Sequence, residues 1–322
     1  MNNILTISGK VSVIFACVLL LVVSASAQLS LRKALDIDAD GKADFSVFRP
    51  SNNVWYINRS GGGGFVAQQF GSSNTDYQTP GDYDGDGKGD ISVWRSTDGG
   101  WYRLNSSNNT FAGVAFGTDG DEPVARDYDG DGKTDQAVVR RSGGAMTWFV
   151  LKSTTAGLQV AQFGLATDYV APGDYDGDLK FDFAVQRVGA NPTDQGIFYI
   201  LQSMTGSLST IPWGASKDLV VPGDYDGDGK TDVAVVREGA FNTPLNWYIR
   251  RSSNGALQAV AFGTTGTDFN VQNDYDGDGK TDVAVWRDPT GFFYYLRSID
   301  GALVGFQWGA PNDFPVASYD TH

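Results

Sequence analysis

Six short segments of this chain carry four aspartates each in the same nine-residue pattern. The aspartates occupy positions 1, 3, 5 and 9, and glycine occupies position 6 in five of the six copies. Carboxylates at this spacing repel one another unless a cation lies among them. Oxygen ligands without histidine or thiol are typical of sites for hard cations. The pattern therefore predicts calcium, with up to six ions per chain.

Each copy assigns the same roles to its residues. We expect the four aspartate side chains and the backbone carbonyl of the lysine at position 7 to bind the ion, while the lysine side chain points to solvent. Glycine at position 6 permits a sharp reversal of the backbone. The predicted ligands are Asp36, Asp38, Asp40, Lys42 and Asp44; Asp82, Asp84, Asp86, Lys88 and Asp90; Asp127, Asp129, Asp131, Lys133 and Asp135; Asp174, Asp176, Asp178, Lys180 and Asp182; Asp224, Asp226, Asp228, Lys230 and Asp232; and Asp274, Asp276, Asp278, Lys280 and Asp282.

The spacing distinguishes these loops from EF-hands. An EF-hand has a glutamate at position 12 and flanking helices, whereas position 12 here is valine in every copy and lies within a predicted strand. The fourth copy departs most from the pattern, because Leu179 replaces the glycine at position 6. A left-handed leucine costs about 1 kcal/mol or more, so we expect the lowest calcium affinity in this copy.

The acidic loops recur every 45 to 50 residues, and the same succession of predicted strands follows each of them. A strand ending in arginine comes first, then a strand with a pair of aromatic residues, then one ending in aromatic-glycine, and last a short lead-in strand before the next loop. Four-stranded units of this length in tandem are typical of propeller blades. Residues 314–320 repeat the lead-in pattern that the first unit lacks. The sequence thus predicts an all-β, six-bladed propeller of four-stranded antiparallel blades, closed by its C-terminal strand, with seven blades as the alternative.

These repeats resemble the FG-GAP/VCBS family, which includes the propeller of integrin α subunits. The resemblance rests on the Asp-x-Asp-x-Asp-Gly-x-x-Asp loops and on aromatic-glycine pairs such as Phe70-Gly71 and Phe116-Gly117. It implies a propeller with calcium in the loop between the first and second strands of each blade. It implies no single activity, because the family includes adhesion modules, lectins and lyases.

Three further repeated sets have both structural and functional interpretations. The strand-end arginines could form a ring for anionic ligands, but we expect them to pair with a repeated carboxylate or to stack on tryptophan. We expect one aromatic of each pair to lie between blades, and the aspartates before the lead-in strands to fix turns. The arginines are Arg49, Arg95, Arg140, Arg187, Arg237 and Arg287, and the aspartates are Asp76, Asp121, Asp168, Asp218, Asp268 and Asp313. If the protein recognises a ligand, we expect the long loops 188–196 and 238–245 and the central funnel to bind it, on the face opposite the acidic loops.

The N-terminal residues predict a secreted or periplasmic protein. Lys10 precedes an apolar run, residues 11–23, and Ala25-Ser26-Ala27 fits a signal-peptidase site. The run is too short to span a bilayer. We therefore expect a signal peptide at residues 1–27 with cleavage after Ala27, a short segment at 28–35, and the propeller at 36–322. The only cysteine, Cys17, would be removed with the signal peptide, and the mature chain would have no membrane span.

Composition limits the function further. The net charge is −14, and the sequence has no basic stripe that could neutralise nucleic-acid phosphates. His322 is the only histidine, which argues against Ser–His and Cys–His nucleophilic catalysis in the mature chain. We expect a monomeric, non-catalytic binding or adhesion module whose partner is a glycan or a cell-surface protein. The alternative is a calcium-dependent polysaccharide lyase.

Overall fold

The computed structural model describes residues 34–316. The predicted signal peptide with Cys17, most of the segment 28–35, and residues 317–320 of the predicted closing strand lie outside the described residues. Between residues 34 and 316, no helix combines the length and the apolar character needed to cross a bilayer.

Six four-stranded antiparallel sheets make up the described chain, which confirms the six-bladed prediction and makes the seven-bladed alternative wrong. Blade 1 contains β1 (Phe45–Arg49), β2 (Val54–Asn58) and β3 (Phe65–Gln69) with the last strand of the chain, β24 (Phe314–Pro315). Blade 2 contains β4 (Asp76–Gln78), β5 (Ile91–Arg95), β6 (Gly100–Leu104) and β7 (Phe111–Ala115). Blade 3 contains β8 (Glu122–Pro123), β9 (Gln136–Ser142), β10 (Ala145–Leu151) and β11 (Leu158–Leu165). Blade 4 contains β12 (Tyr169–Val170), β13 (Phe183–Arg187), β14 (Gln195–Leu201) and β15 (Leu208–Ala215). Blade 5 contains β16 (Leu219–Val220), β17 (Val233–Arg237), β18 (Pro244–Arg250) and β19 (Leu257–Thr264). Blade 6 contains β20 (Asp268–Asn270), β21 (Val283–Arg287), the 3-10 turn Asp288–Thr290, β22 (Phe292–Leu296) and β23 (Leu303–Gln307).

The two ends of the described chain meet in blade 1. The C-terminal strand β24 pairs antiparallel with β1, with Phe314 opposite Phe48 and Pro315 opposite Val47. The N–H of Val316 also donates to the carbonyl of Ser46 at 2.9 Å. The tail thus supplies the lead-in strand of the first blade, as the sequence predicts, and the ring is closed.

Burial along the strands follows from packing blade against blade. The second strand of every blade is buried at its first four positions, because both of its faces are covered. On the third strands the first aromatic of each pair is fully buried, as expected; these residues are Trp55, Trp101, Trp148, Phe198, Trp247 and Phe293. The indole N–H groups of the four tryptophans in this set also donate hydrogen bonds to backbone carbonyls, as that of Trp148 does to Phe163 at 2.9 Å.

The strand-end arginines are paired, as the structural interpretation predicts. Arg95 donates from Nε and Nη2 to the two carboxylate oxygens of Asp76 at 2.7 and 2.9 Å. The same pair forms in every blade, and in blade 1 it joins Arg49 to Asp313. The planar guanidinium lies over the second aromatic of each pair, a tyrosine or phenylalanine and not the expected tryptophan, at 4.3 to 4.9 Å from the ring centre. The arginines therefore hold each blade together and do not form an open anion-binding ring.

The aromatic-glycine pairs complete this corner of the blade. Gly71 has a φ of +88°, and a Cβ there would lie 3.0 Å from Val93 and 3.3 Å from the Asp76 carboxylate. The N–H of the next residue, Ser72, donates to Asp76 Oδ2 at 2.9 Å. Only glycine combines this left-handed backbone with so close an approach, so the repeated pair positions the aspartate that the arginine needs.

Candidate metal centres

Five of the six acidic loops join the lead-in strand of their blade to its second strand, and the loop of blade 1 leads into the second strand β1 in the same way, so all six lie on one face of the ring. Aspartate triplets with carboxylate oxygens within 4.8 Å of one another occur in at least five of these loops. The triplets are Asp36, Asp38 and Asp40; Asp82, Asp84 and Asp86; Asp127, Asp129 and Asp135; Asp174, Asp176 and Asp178; and Asp224, Asp226 and Asp232. Each triplet is close enough to share a metal ion.

Backbone N–H groups orient the carboxylates at positions 1 and 9. In the blade 5 loop, Asp224 accepts from the N–H groups of Gly227 at 2.6 Å and Gly229 at 2.9 Å. Asp232 accepts from the N–H of Tyr225 at 2.8 Å through Oδ2. These bonds fix both side chains inside the turn. They recur with small variations in the other blades, so the loop is organised by its own backbone.

The aspartate at position 3 supplies the strongest sign of a missing partner. In Asp226, Oδ2 accepts from the hydroxyl of Ser253 at 2.6 Å, whereas Oδ1 is buried and has no hydrogen-bond donor. The same oxygen is buried and unpartnered in Asp38, Asp129 and Asp176. A buried acceptor without a partner costs about 1–3 kcal/mol, and more when it is charged. A hard cation among the position 1, 3, 5 and 9 carboxylates would satisfy it, so these residues fit calcium as a ligand set.

Burial disfavours the charged form of several loop carboxylates. It raises the pKa of the position-9 residues Asp135, Asp182, Asp232 and Asp282 to about 7. It raises the pKa of their counterparts Asp44 and Asp90 to about 6, and that of the position-1 residues Asp127, Asp174 and Asp224 to about 6. Hydrogen bonds from the backbone oppose this shift, and neighbouring aspartates add to it. A cation in the loop would restore the charged form by supplying the opposite charge.

A repeated serine, which was not among the predicted site residues, belongs to each loop. It lies in the hairpin between the third and fourth strands, and the six copies are Ser60, Ser106, Ser153, Ser203, Ser252 and Ser298. The N–H of Ser252 donates to Asp232 at 2.6 Å, and its hydroxyl donates to Asp228 at 2.8 Å. The other five serines make the same two contacts at 2.7 and 2.8 to 2.9 Å. Its recurrence at one place in all six repeats was the signal that could have identified it.

The position-7 lysines do not simply point into solvent, so that expectation was wrong. The stems of Lys42, Lys133, Lys180, Lys230 and Lys280 each lie against the position-4 glycine of the preceding blade's loop. Lys133 Nζ also donates to the carbonyl of Asp84 at 3.2 Å. Leu179, in contrast, adopts the left-handed backbone predicted for it, with a φ of +71°.

Neighbouring loops are also joined through their backbones. The N–H at position 8 donates to the carbonyl of the position-1 aspartate in the preceding blade, as Thr281 does to Asp224 at 2.7 Å. All six blades make this bond, at 2.7 to 2.9 Å, and the bond from Ala43 to Asp274 joins blade 1 to blade 6. The residue at position 1 therefore links two loops as well as contributing a carboxylate to one.

The opposite face carries a cavity of about 550 Å³ near the centre of the ring. Its lining includes Tyr169, Leu219 and Phe269 from the lead-in strands of three successive blades, with Glu238 and Asn270 beside them. Glu238 begins one of the two long loops named above, so that loop and the funnel do come together. The other long loop, residues 188–196, contributes nothing to the lining of this cavity.

Comparison with known proteins supports the fold and the repeat. Residues 36–93 match the model of the FG-GAP-like repeat family, and no curated protein matches the sequence. TolB from Acinetobacter baumannii is similar in structure, with a TM-score of 0.56, 14% identity and 85% of this chain covered. This chain spans 63% of that TolB chain.

Two further solved structures are similar over most of both chains. One is an Agrocybe aegerita lectin described as recognising non-reducing terminal N-acetylglucosamine, with a TM-score of 0.53, 16% identity, and coverage of 84% of this chain and 92% of the lectin. The other is AofleA from Arthrobotrys oligospora, with a TM-score of 0.52, 10% identity, and 90% of each chain covered. At these identities the likeness shows the propeller fold alone. The match of the first repeat to the FG-GAP-like repeat model, together with five further blades that carry the same acidic loop, supports the predicted resemblance to FG-GAP-type repeat propellers.

Proposed function

We propose that the chain is a secreted, calcium-binding propeller that recognises a glycan on the face opposite its acidic loops and does not catalyse a reaction. In this proposal residues 1–27 are a signal peptide and residues 36–322 form the propeller. Each acidic loop holds one Ca²⁺ through its four aspartates and the carbonyl of its lysine. The ion supplies positive charge where buried carboxylates are crowded.

The observation that carries the calcium assignment is the unpartnered oxygen at position 3. Four loops bury this oxygen without a donor, although in the blade 5 loop both carboxylate oxygens of Asp224 and both of Asp232 accept hydrogen bonds. Aspartates that only shaped turns would have no reason to leave the same atom unsatisfied in four repeats. Hard oxygen ligands without histidine or thiol favour Ca²⁺ over zinc and copper.

Calcium removal tests this assignment through stability. Extracellular calcium modules bind at roughly 10⁻⁴–10⁻³ M, and at tenfold excess over Kd each site adds about 1.4 kcal/mol. Six sites would add on the order of 8 kcal/mol, which is comparable to the whole stability of many domains. We expect excess chelator to lower the melting temperature strongly and calorimetry to detect calcium binding. A melting curve that chelator leaves unchanged would refute structural calcium.

A matched pair of variants locates the effect. Asp226→Asn should weaken calcium binding, because it replaces the carboxylate that has the buried free oxygen. Asp119→Asn removes an exposed aspartate outside the loops and should leave calcium affinity unchanged. Equal losses in the two variants would indicate a general charge effect and not a site.

The funnel cavity supports the glycan assignment. Tyr169, in the lead-in strand of blade 4, exposes 51% of its surface, and Phe269 lies in the lead-in strand of blade 6. The cavity therefore offers aromatic rings on which a sugar can stack. Glu238 and Asn270 supply acceptors and donors for hydroxyl groups beside those rings. Apolar walls with a few placed polar groups are typical of small-ligand sites. The Agrocybe lectin shows that a propeller of similar fold recognises a sugar.

A glycan array with calcium present tests this site. Tyr169→Ala should weaken binding of any glycan found by about tenfold, near the upper end of what one aromatic contact contributes. Tyr77→Ala is the control, because Tyr77 is the second residue of the blade 2 lead-in strand β4, is 47% exposed and does not line the cavity. Equal loss in both variants, or cleavage of an acidic polysaccharide in a parallel lyase assay, would contradict the proposal.

A further inference from the structure

A second cavity, of about 350 Å³, lies in the cleft between blades 5 and 6 on the side of the acidic loops. Three cationic side chains line it, those of Arg251, Lys280 and Arg297, together with one carboxylate, that of Asp226, which the proposed function assigns to the calcium ion of its loop. We call the three cationic residues the basic cleft. The chain as a whole carries a net charge of −14, so three cations converging on one cavity are unusual for this molecule.

Much of this positive charge is not neutralised. Arg251 directs Nε and Nη2 onto Oε1 of Gln258 at 3.2 and 2.9 Å, and this partner is uncharged. The stem of Lys280 lies along Gly227, and within residues 34–316 neither Arg251 nor Lys280 has a carboxylate partner. Arg297 is more nearly balanced, with Asp300 at 3.3 Å and Asp276 at 3.8 Å. Arg251 and Lys280 therefore remain available to a negatively charged ligand.

The residue immediately before the repeated turn serine differs among the blades, and the two arginines of the basic cleft occupy this position. Arg251 and Arg297 each precede the repeated turn serine of their blade, so one arginine stands on either side of this cleft. The same position is Arg59 in blade 1 and Asn105, Lys152 and Gln202 in blades 2, 3 and 4. Blades 2 and 4 therefore fold without a positive charge at this position.

We infer that the basic cleft binds an anionic sugar unit, a single ring bearing a carboxylate or sulfate group. Guanidinium groups bind such oxyanions through two parallel hydrogen bonds, and lysine adds a point charge. The cavity is many times larger than the roughly 30 Å³ that one water occupies in the liquid, so it has space for a ring as well as the anionic group. Gln258 and Ser298 lie in the same lining and can contact hydroxyl groups. This site is separate from the funnel, which lies on the other face.

Titration of the calcium-loaded chain with methyl glucuronide, methyl glucoside and sodium sulfate at constant ionic strength tests the inference. We expect the glucuronide to bind at least about tenfold more tightly than the glucoside, because a hydrogen bond to a charged group contributes about 1.5–3 kcal/mol. Equal binding of the two sugars would overturn the inference. Sodium sulfate binding as tightly as the glucuronide would show that the cleft takes an inorganic ion, which overturns the assignment to a sugar.

Variants decide whether the basic cleft is responsible. Arg251→Gln should weaken glucuronide binding about tenfold or more. The glucuronide affinity of Arg251→Lys should lie between those of Arg251→Gln and the unaltered chain, because lysine keeps the positive charge but lacks the two parallel N–H donors of the guanidinium. Arg297→Gln gives a second test on the other wall of the cleft. Lys152→Gln removes a cation at the corresponding position of blade 3 and should leave binding unchanged, as should Tyr77→Ala, which alters an exposed aromatic residue outside both cavities. Loss in Lys152→Gln equal to that in Arg251→Gln would overturn the inference.

Discussion

Replacing Asp313 by asparagine tests how the ring is closed. The Asp313 side chain is 2% exposed and accepts from Arg49 Nε at 2.7 Å and Nη2 at 2.8 Å. Its Oδ2 also accepts from the N–H of Ala310 at 2.8 Å. Asparagine keeps the shape and one acceptor, but it removes the charge and places an amide N–H₂ against the guanidinium. The substitution therefore breaks the pair that joins residues 264 positions apart in the chain.

The expected loss follows from the geometry of this pair. Removing one partner of a buried ion pair costs about 3–5 kcal/mol. The Arg49 side chain is 31% exposed, so water can compensate part of the lost contact, and we reduce the cost to about 2 kcal/mol. A domain of this size changes its melting temperature by about 2–4 °C per kcal/mol. We therefore expect Asp313→Asn to lower the melting temperature by about 4–8 °C.

The matched control is Asp218→Asn, which breaks the equivalent pair with Arg237 inside a continuous blade. Thermal unfolding should show similar losses for the two variants, because the contacts are the same. Hydrogen exchange should separate them. Only Asp313→Asn should speed exchange of the Val316 N–H, which donates to Ser46 across the closing strand. A shift below about 1 °C in both variants, or faster exchange at that amide in Asp218→Asn, would refute this reasoning.

Three further outcomes follow from the acidic loops. Burial raises the pKa of Asp232 to about 7, so the metal-free folded state binds a proton that the unfolded state releases near pH 4. The stability from this proton is fully present below pH 4 and is lost as the pH rises to about 7, so the metal-free melting temperature should fall between pH 5 and 7; a steady rise would contradict the assignment. Ser252→Ala removes the hydroxyl donor to Asp228 while keeping the backbone contact, and should cost about 1 kcal/mol in urea unfolding; no change in the midpoint would show that this hydroxyl is not needed. Leu179→Gly should raise calcium affinity in the blade 4 loop about fivefold by removing left-handed strain of about 1 kcal/mol, and Gly229→Leu should lower it in blade 5; calorimetry showing equal affinities in all three chains would argue against strain.

Most of the fold could be predicted because each of its determinants is local and repeated. The pairing of Arg95 with a repeated carboxylate was predicted, but the sequence analysis did not identify which repeated set of aspartates supplies that carboxylate. The separation could have identified it: in blades 2 to 6 the arginine follows its aspartate by 19 residues, whatever the length of the later loops. In blade 1 the two residues lie at opposite ends of the chain, and only ring closure brings them together.

The parts of the site that were missed depend on contacts between hairpins or between blades. Ser252 lies 24 residues after Asp228, in a turn where serine is common for reasons of turn geometry alone. Its role appears only when the third strand folds back over the loop. The contact of Lys133 with the preceding blade depends on the angle between two sheets. The pattern of residues within one repeat does not determine that angle.

The backbone bond from one acidic loop to the next has a consequence for chain order. It recurs between every neighbouring pair of blades, including blades 6 and 1. These bonds are therefore equivalent all around the propeller, and none of them distinguishes one repeat as the first. A circular permutant that continues β24 directly into the loop of blade 1 and opens the chain ahead of β4 would reproduce every such bond. The position of the termini is therefore a property of the gene and is not imposed by the architecture it encodes.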